Sequence, residues 1–552
     1  MDSLANPVQI GRRVQRAVHL HQAGNLAGAE SLYRTVLALQ PDHGDAANLL
    51  GVVACHRVAV ALQPGHAAAL TNLGLVLAEL GRPDAAARMY RAAIALRPDH
   101  APTRSNLGVV LTRQGRWSDA VNVYRTAITL GPDHADLYAN LGNALTEERK
   151  ADEAVAVLRR GTALRPDHTG ARFNLGIARQ EQGDLRAAAG LFRSVVALYP
   201  DHSDAHTRLA GALKAQGRLD EAVAVYDTMI TLRPDDADAR WNRSLTLLLG
   251  GDFARGWEDY EWRWLTREKG GERHAFTQPL WSGEDLGGRT ILLHAEQGLG
   301  DTIQFVRYVP AVVRRGGRVL LRVPAVLTRL LGAMPGVTLL TRGDPVPEFD
   351  VHCPLLSLPR AFGTTLETIP AEVPYLFPDP ALVVAWRRRL QPYGGLRVGI
   401  VWAGNPAFAE DRARSPGVEP FRRLFAVDNV HIFALQKGAG RTALRAAGAQ
   451  VTDLGGDIGD FADTAAIMAN LDLVVSSCTA PIHLAGALGI PGWLALKAVP
   501  DWRWLMGRDD SPWYPTLRLF RQTVPGDWDG VFARIAAELA DAAHLHGHGI
   551  RS

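Results

Sequence analysis

Residues Gly74–His100 read GLVLAELGRPDAAARMYRAAIALRPDH, and thirty-four residues later Gly108–His134 read GVVLTRQGRWSDAVNVYRTAITLGPDH. Pro-Asp-His or a close variant recurs at this interval, beginning at Pro64, Pro98, Pro132, Pro166, Pro200 and Pro234. A constant period of this length is typical of chains that stack one supersecondary unit on the next. The repeated stretch therefore predicts a solenoid of helix pairs.

Small and large residues keep fixed positions within each unit. The first helix carries Gly74, Gly108, Gly142, Gly176 and Ala210, and the second carries Ala86, Ala120, Ala154, Ala188 and Ala222. Large residues follow at Tyr90, Tyr124, Leu158, Phe192 and Tyr226. This is the pattern of a tetratricopeptide repeat (TPR), in which small residues let two helices approach and large ones fill the gap. Stacked units form a groove that binds a peptide or protein segment, and the alternative is a pure scaffold or oligomerisation surface.

The ends of each unit have their own signals. Proline stops the second helix, and the aspartate after it is expected to cap the next one. One unit is irregular, because Pro41 and Pro64 are only 23 residues apart. After Pro234 the pattern fades into two helices, whose aromatic residues are expected to pack on whatever follows: Trp257, Tyr260, Trp262 and Trp264. We predict a solenoid over residues 1–265 and a linker over residues 266–285.

From Arg289 the sequence alternates between strand and helix patterns. Apolar runs such as TILLHAEQ, RVLLRVP and VTLLTRG precede a proline-rich stretch, and RVGIVWAG, VHIFALQKG, QVTDLGG, DLVVSS and PGWLAL follow it. This alternation predicts parallel sheets flanked by helices. We expect a Rossmann-like lobe at 286–385 and a second, nucleotide-sugar-binding lobe at 386–545. Ligands of such sheets bind at the carboxyl ends of the strands.

Composition excludes several classes of protein. The 60 basic and 57 acidic residues give a net charge of +3, without the basic excess of a nucleic-acid binder. Three scattered cysteines without a CxxC spacing argue against disulfides or a zinc site. The sequence shows neither a signal-peptide pattern nor an apolar run of about 18 residues. We therefore expect a cytoplasmic protein without a membrane span.

The motif HAEQGLGDTIQFVRY contains a candidate catalytic residue. Gly298 and Gly300 allow a sharp turn between a strand and a helix, and Asp301 follows at the helix start. The third glycine of a dinucleotide fingerprint is missing, because Ile303 occupies its position. From spacing alone, Asp301 either faces a ligand cleft or only caps its helix.

Further polar residues follow the later strands. Arginine suits a diphosphate through bidentate contacts, lysine meets a phosphate as a point charge, and a solvated loop is the alternative. The candidates of this kind are Asn405, Arg412, Gln436 and Lys437. In SSCTAPIHLAGALGIP, Cys478 and Thr479 precede a helix whose free N–H groups favour a diphosphate. His483 lies one turn into that helix, either beside the ligand or in the packing.

As a set, AEQGLGDTIQFVRY, VWAGNP…DRARS, LQKG, HLAGALGIP and DWRWL…DSPWYPTLRLFRQ resemble bacterial TPR-linked glycosyltransferases of the GT-B fold, related to the heptosyltransferases. The whole arrangement is similar to alphaproteobacterial flagellin glycosyltransferases. The resemblance implies an α-solenoid followed by an α/β GT-B fold with two Rossmann-like lobes. It also implies metal-independent, inverting transfer from a nucleotide sugar, without a cofactor, to Ser or Thr of a protein recruited by the repeats, with flagellin favoured.

The resemblance assigns roles to matching positions. Asp301 becomes the general base, and the donor-binding set becomes Gly298, Gly300, Asn405, Arg412, Gln436, Lys437, Cys478, Thr479 and His483. Cys478 departs from the family pattern, which has Asp at this position. The resemblance therefore leaves the identity of the donor sugar open, and a CMP-linked nonulosonic acid is one candidate. Two alternatives are a transferase for a surface polysaccharide or lipid-linked glycan, and a non-catalytic TPR adaptor with a degenerate transferase domain.

Overall fold

A computed structural model describes residues 7–22, 26–40, 66–79, 81–266, 276–406, 411–446 and 451–547. The irregular unit between Pro41 and Pro64, with Cys55, lies outside these ranges. The chain divides into two compact units, Met1–Ala212 and Leu213–Ser552.

The first unit consists of helix pairs. Its helices are α1 (Pro7–Gln22), α2 (Leu26–Leu39), α3 (Ala67–Glu79), α4 (Pro83–Leu96), α5 (Ala101–Arg113), α6 (Trp117–Leu130), α7 (Ala135–Glu147), α8 (Ala151–Leu164), α9 (Thr169–Glu181), α10 (Leu185–Leu198) and α11 (Ser203–Ala215), the last of which crosses the boundary. Each pair packs together, and the first helices α3, α5, α7 and α9 also touch in succession, most extensively α7 with α9. The structure thus confirms the predicted helical stack.

The small and large residues of the repeat meet as predicted. A Cβ atom added at Gly108 would lie 2.4 Å from the Tyr124 ring, and one added at Gly142 would lie 2.2 Å from Cγ of Leu158. Real Cβ atoms do not approach other atoms so closely, and both large side chains are almost completely buried. The absence of a side chain at these glycines is therefore what allows the paired helices to pack.

The expected aspartate cap is wrong for the Pro-Asp-His units. Nδ1 of His100, the residue immediately before α5, accepts a hydrogen bond from the backbone N–H of Thr103 at 3.3 Å. The aspartate lies one residue too early to reach the helix N–H groups. In the last unit, Pro-Asp-Asp puts Asp236 at the histidine position, and its carboxylate accepts from Ala239 N at 2.9 Å. The same histidine contact recurs at His66, His168 and His202.

The second unit begins with the last repeat helices: α12 (Leu219–Leu232), α13 (Ala237–Gly250) and α14 (Phe253–Tyr260). Trp257 donates its indole N–H to the carbonyl of Thr364 at 3.0 Å. The rings of Trp257 and Tyr260 lie edge-on to Trp502, with centroids 5.3 and 6.2 Å away. Two of the four predicted aromatic contacts are therefore made with the following α/β region, whereas Trp262 packs against an arginine within the repeat helices.

A four-stranded parallel sheet follows. It contains β1 (Thr290–His294), β2 (Arg318–Val323), β3 (Val337–Thr341) and β4 (Val351–Pro354) in the order β3-β2-β1-β4. Its helices are α15 (Leu299–Phe305), α16 (Val309–Arg314), α17 (Thr328–Leu331) and α18 (Leu358–Ala361). From β1 the sheet extends through β2 and β3 on one side and continues with β4 on the other, so the strand order reverses at β1.

A six-stranded parallel sheet completes the unit. It contains β5 (Leu396–Val401), β6 (Val430–Ala434), β7 (Val451–Asp453), β8 (Leu473–Ser477), β9 (Gly492–Leu496) and β10 (Leu517–Arg521), in the order β10-β9-β8-β5-β6-β7. This is the strand order of doubly wound nucleotide-binding sheets. Its helices are α19 (Pro380–Leu390), α20 (Asp411–Arg414), α21 (Arg422–Phe425), α22 (Thr442–Ala446), α23 (Phe461–Met468), α24 (Ala480–Ala487) and α25 (Trp528–Gly547). The sequence expectation omitted β10, which lies inside an aromatic-rich stretch.

We expect Gly108→Ala to lower the free energy of unfolding by about 1–3 kcal/mol, because the new methyl group overlaps the buried Tyr124 ring. Gly190→Ala is the matched control, since Gly190 also lies within a helix but has open space around its Cα. That variant should be neutral or stabilised by up to about 1 kcal/mol. Chemical denaturation followed by circular dichroism measures both, and equal losses of stability would contradict the close-approach explanation.

Candidate functional site

The sequence-predicted residues collect where the strand order of each sheet reverses. β1 lies between β2 and β4, and β5 lies between β6 and β8. In open parallel sheets, ligands bind outside the carboxyl ends of strands at such a reversal. Gly298, Gly300 and Asp301 follow β1, Asn405 follows β5, and Cys478 and Thr479 follow β8. The structure thus places candidates from both predicted lobes at the expected edges.

Asp301 both caps its helix and forms an ion pair. Gly298 is the N-cap residue of α15, and its backbone N–H donates to Oδ2 of Asp301 at 2.8 Å. Oδ1 accepts a hydrogen bond from the guanidinium of Arg503. The side chain keeps 20% of its surface exposed. Because an ionised carboxylate offers about four lone-pair positions, acceptor capacity remains beyond these two bonds.

Arg503 joins the two sheets. It lies in a 3-10 turn, Trp502–Trp504, after β9, yet its Nε donates to Oε1 of Gln304 on α15 at 2.9 Å. Its Nη1 donates to Asp501 at 2.8 Å, and the guanidinium lies 4.3 Å from the centre of the Trp502 ring. Burial alone would lower the pKa of Arg503, but Asp501 and Asp301 outweigh it and raise that pKa. The guanidinium is therefore a charged link between α15 and the second sheet.

Helix α24 packs directly on α15. A Cβ atom added at Gly300 would lie 2.9 Å from Cδ2 of His483, so the glycine allows the two helices to touch. His483 is 5% exposed, and its Nδ1 lies 3.0 Å from the hydroxyl of Tyr514. Burial first, and then the charge of Arg503, lowers the pKa of His483 to about 3. The imidazole is thus neutral at neutral pH, and its contacts are those of a packing residue beside the site.

Cys478 and Thr479 form the turn into α24. The indole N–H of Trp504 donates to Sγ of Cys478 at 3.1 Å. Burial, followed by the nearby carboxylate of Asp501, raises the pKa of Cys478 to about 11. The thiol is therefore uncharged at neutral pH and is a poor nucleophile. It also cannot supply the negative charge that a carboxylate would carry at this position. Thr479 occupies the N-cap position without capping the helix through its side chain.

Gln436 and Lys437 are both engaged with the backbone. Oε1 of Gln436, which is 4% exposed, accepts from the N–H groups of Trp402 and Ala403 at 3.1 and 2.9 Å. These bonds hold the end of β5. The ammonium of Lys437 donates to the carbonyl of Gly459 at 3.1 Å. A donor bound through either side chain would have to replace these contacts, so their donor-binding role stays a prediction.

The loops after β5 and β8 lie against each other. A Cβ atom added at Gly404 would lie 2.3 Å from a carboxylate oxygen of Asp411 and 3.2 Å from Cγ2 of Thr479. Asn405, the next residue, is exposed. The backbone of Arg412 lies in α20, but its side chain falls outside the described part of the chain. Gly404, the residue before Asn405, thus lies beside Thr479 at one edge of the sheet.

Sequence reasoning did not assign a role to Arg503, Asp501 or Gln304. A signal was present, because an Asp-x-Arg pair lies among four aromatic residues in DWRWL…DSPWY, where an apolar contact requires no charge. The aromatic residues around this pair are equally typical of a hydrophobic core, so the sequence alone did not single the charges out.

A row of asparagines in the first unit was also missed. Asn72, Asn106, Asn140 and Asn174 recur at the 34-residue period on α3, α5, α7 and α9. Nδ2 of Asn174 donates to the carbonyl of Ala139 on α7 at 3.1 Å, so this position lies at the seam between successive first helices. Each amide carries donors and an acceptor that match a peptide backbone. We call these four residues the asparagine row.

The described ranges contain neither a candidate metal site nor a membrane-spanning helix. In these ranges, no group of three or more His, Cys, Asp or Glu side chains is placed to hold a metal ion. Within the same part of the chain, no helix has both the length and the apolar character required to cross a membrane.

Comparisons with known proteins identify the repeats. Tetratricopeptide-repeat family models match residues 14–62, 65–133, 111–175 and 180–246. The N-terminal region is therefore a TPR solenoid, followed by a region of parallel sheets. Protein FlbA of Caulobacter vibrioides is 29% identical over 330 residues, which cover 54% of this chain and 54% of that protein. The chain thus spans about half the length of this curated relative.

Solved structures resemble only part of the chain. One is YrrB, a TPR protein with an unusual peptide-binding site. The match spans 33% of this chain and 95% of YrrB, with 23% sequence identity and a TM-score of 0.30. A TPR protein from Parabacteroides merdae covers 46% and is covered to 91%, with 17% identity and a TM-score of 0.32. Cut9 with Hcn1 from the APC/C covers 47% and is covered to 54%, with 15% identity and a TM-score of 0.34.

The buried His483 predicts a loss of stability in acid. The folded-state pKa of about 3 lies below the ordinary value of 6.5, so the unfolded chain binds a proton first as the pH falls. The contribution of His483 is therefore complete above pH 6.5 and is lost towards pH 3, by about 1.4 kcal/mol per pH unit. Relative to His483→Phe, the wild type should lose about 2 kcal/mol of unfolding free energy between about pH 7.5 and 5. Chemical denaturation at each pH measures both proteins. If the difference in unfolding free energy between the wild type and His483→Phe did not change with pH, His483 would not be a buried neutral imidazole.

Proposed function

We propose that this chain is a metal-independent, inverting glycosyltransferase of the GT-B type, which transfers a sugar from a nucleotide sugar to Ser or Thr of a protein in the cytoplasm. The observation that supports it most is the placement of Asp301. Its partly exposed carboxylate follows β1 of one sheet, is held by Arg503 from the other sheet, and lies on the helix that packs against α24. A carboxylate between the carboxyl ends of two parallel sheets suits proton abstraction from an acceptor hydroxyl.

The chemistry divides between the two sheets. Asp301 takes the proton of the acceptor hydroxyl while that oxygen attacks the anomeric carbon and the bond to the nucleotide phosphate breaks. A single displacement of this kind inverts the anomeric centre. Arg503 and the N–H of Gly298 fix the carboxylate, and the helix start at Thr479 offers backbone N–H groups to the departing phosphate. Both elements are preorganised, which reduces reorganisation during the reaction.

The TPR solenoid supplies the acceptor in this proposal. TPR stacks bind peptide segments, and the asparagine row offers amides at a regular spacing along its first helices. Flagellin is the favoured acceptor because of the resemblance stated above. A surface polysaccharide or a lipid-linked glycan is the alternative acceptor, with the repeats binding a partner protein.

The repeat matches favour a second candidate function, a TPR adaptor whose transferase-like half does not catalyse transfer. The engagement of Gln436 and Lys437 with the backbone and the neutral Cys478 are compatible with such an adaptor. The adaptor and the enzyme share the solenoid and differ in the role of Asp301.

Asp301→Asn separates these functions, because it keeps the size of the side chain and removes the base. We expect transfer to fall by about 10²–10⁴-fold. The measurement is the intact mass of flagellin from a strain whose own copy is deleted and replaced by the variant. Asp379→Asn is the matched control, since Asp379 also caps a helix through its carboxylate but lies outside the site, so transfer should be preserved. Wild-type glycan mass with Asp301→Asn would exclude the base role.

A second arm of this experiment tests the acceptor. Asn106→Ala with Asn140→Ala removes two amides, each worth about 1 kcal/mol in hydrogen bonding, so flagellin binding should weaken by about 30-fold while nucleotide binding is unchanged. If deletion of the whole chain leaves the flagellin mass unaltered, flagellin is not the acceptor.

A further inference from the structure

The carboxyl end of the four-stranded sheet contains a small basic cavity that the proposed reaction does not use. Its volume is about 50 Å³, and its lining includes His294 at the end of β1, Arg322 near the end of β2, and Arg342 after β3. Gln297, from the loop that leads to Gly298, also lines it. The cavity therefore lies at the ligand-binding edge of this sheet.

Strand alternation produces the basic lining. On one face of the sheet, one residue from each of three adjacent strands forms an apolar cluster: Leu292, Leu320 and Leu340. Side chains two positions apart on a strand share a face. The residues two positions after these three leucines in the sequence are His294, Arg322 and Arg342. The same face thus changes from apolar to basic at its carboxyl end.

Among the described residues that line the cavity, none is acidic. Nε of Arg322 is buried and has no hydrogen-bond partner, and among the described residues neither Arg322 nor Arg342 forms an ion pair. Asp344 interacts electrostatically with Arg322, but its carboxylate accepts hydrogen bonds from the N–H and hydroxyl of Thr341 at 2.7 and 2.6 Å. Those bonds lower the pKa of Asp344 most, and Arg322 lowers it to a smaller extent. A buried guanidinium N–H without an acceptor is costly, so this donor fits an incoming anion.

We propose that this cavity binds a small oxyanion, a phosphate or a carboxylate, through the guanidinium groups of Arg322 and Arg342. A water molecule needs about 10–15 Å³ of such space, so a cavity of about 50 Å³ accommodates about three to five heavy atoms, the size of a carboxylate or a phosphate. Guanidinium groups pair with both anions through parallel N–H donors. Two sources carry this chemistry, a phosphoryl group of a small molecule and an acidic side chain of a bound peptide. The inference depends on the cavity alone and holds whether or not the chain transfers sugars.

The test uses the full chain and two probes, inorganic phosphate and acetate, titrated by calorimetry. Arg322→Gln should weaken binding of the preferred probe by about tenfold or more, the effect of losing charged hydrogen bonds. Arg318→Gln is the matched control, because Arg318 is exposed at the opposite end of the same strand. It should bind like the wild type. Arg342→Gln provides an independent second variant, and circular dichroism confirms that each variant is folded.

Each outcome decides the proposal. Phosphate binding that is lost with Arg322→Gln supports a phosphoryl ligand, and acetate binding that is lost supports an acidic side chain. Absence of binding of either anion to the wild type, or binding equally strong in Arg322→Gln and Arg342→Gln, overturns the site. Sugar transfer is a separate readout, so failure of the anion site and failure of the transferase proposal are distinguishable.

Discussion

The buried guanidinium of Arg503 is the constraint on which the candidate site depends. A buried arginine is stable only when its donors find well-placed acceptors, and here these are Asp301, Gln304 and Asp501. Two of the acceptors belong to the helix after β1, and the arginine belongs to the segment after β9. Together with the contact of Gly300 with His483, this link fixes the carboxyl ends of the two sheets against each other. The position of Asp301 follows from it.

The fold was predictable where a contact is encoded locally. Gly108 and Tyr124 lie 16 residues apart, and the repeat presents the same small–large pair in unit after unit, so their packing follows from the period. Strands were predictable where an apolar run was bounded by turns. The residue that caps each helix was not predictable. Asp and His in Pro-Asp-His are adjacent polar residues, and the position at which the helix starts decides which of them reaches the backbone N–H groups. β10 was missed since its aromatic flanks obscure its alternation.

The site was predictable in part. Asp301 stands out because glycines and a strand precede it, whereas its partner Arg503 is 202 residues away and becomes relevant only after the two sheets meet. Gln436 shows the opposite limit: an amide at a strand end has the same appearance in sequence whether it binds a ligand or, as here, the backbone of Trp402. The basic cavity was predictable to an intermediate degree. The sequence shows that its residues come at or near the ends of three strands, but that they share one face is known only from the register of the sheet.

In the proposed function, a nucleotide sugar reacts at the junction held by Arg503. A crystal structure of the full chain with a bound nucleotide sugar tests it most directly. We expect the phosphates to lie at the start of α24 and the anomeric carbon to face Asp301. An acceptor hydroxyl should then fit within hydrogen-bond distance of the carboxylate, about 2.6–3.2 Å. A nucleotide sugar bound at another edge of the sheets, or a sugar shielded from Asp301, would contradict it.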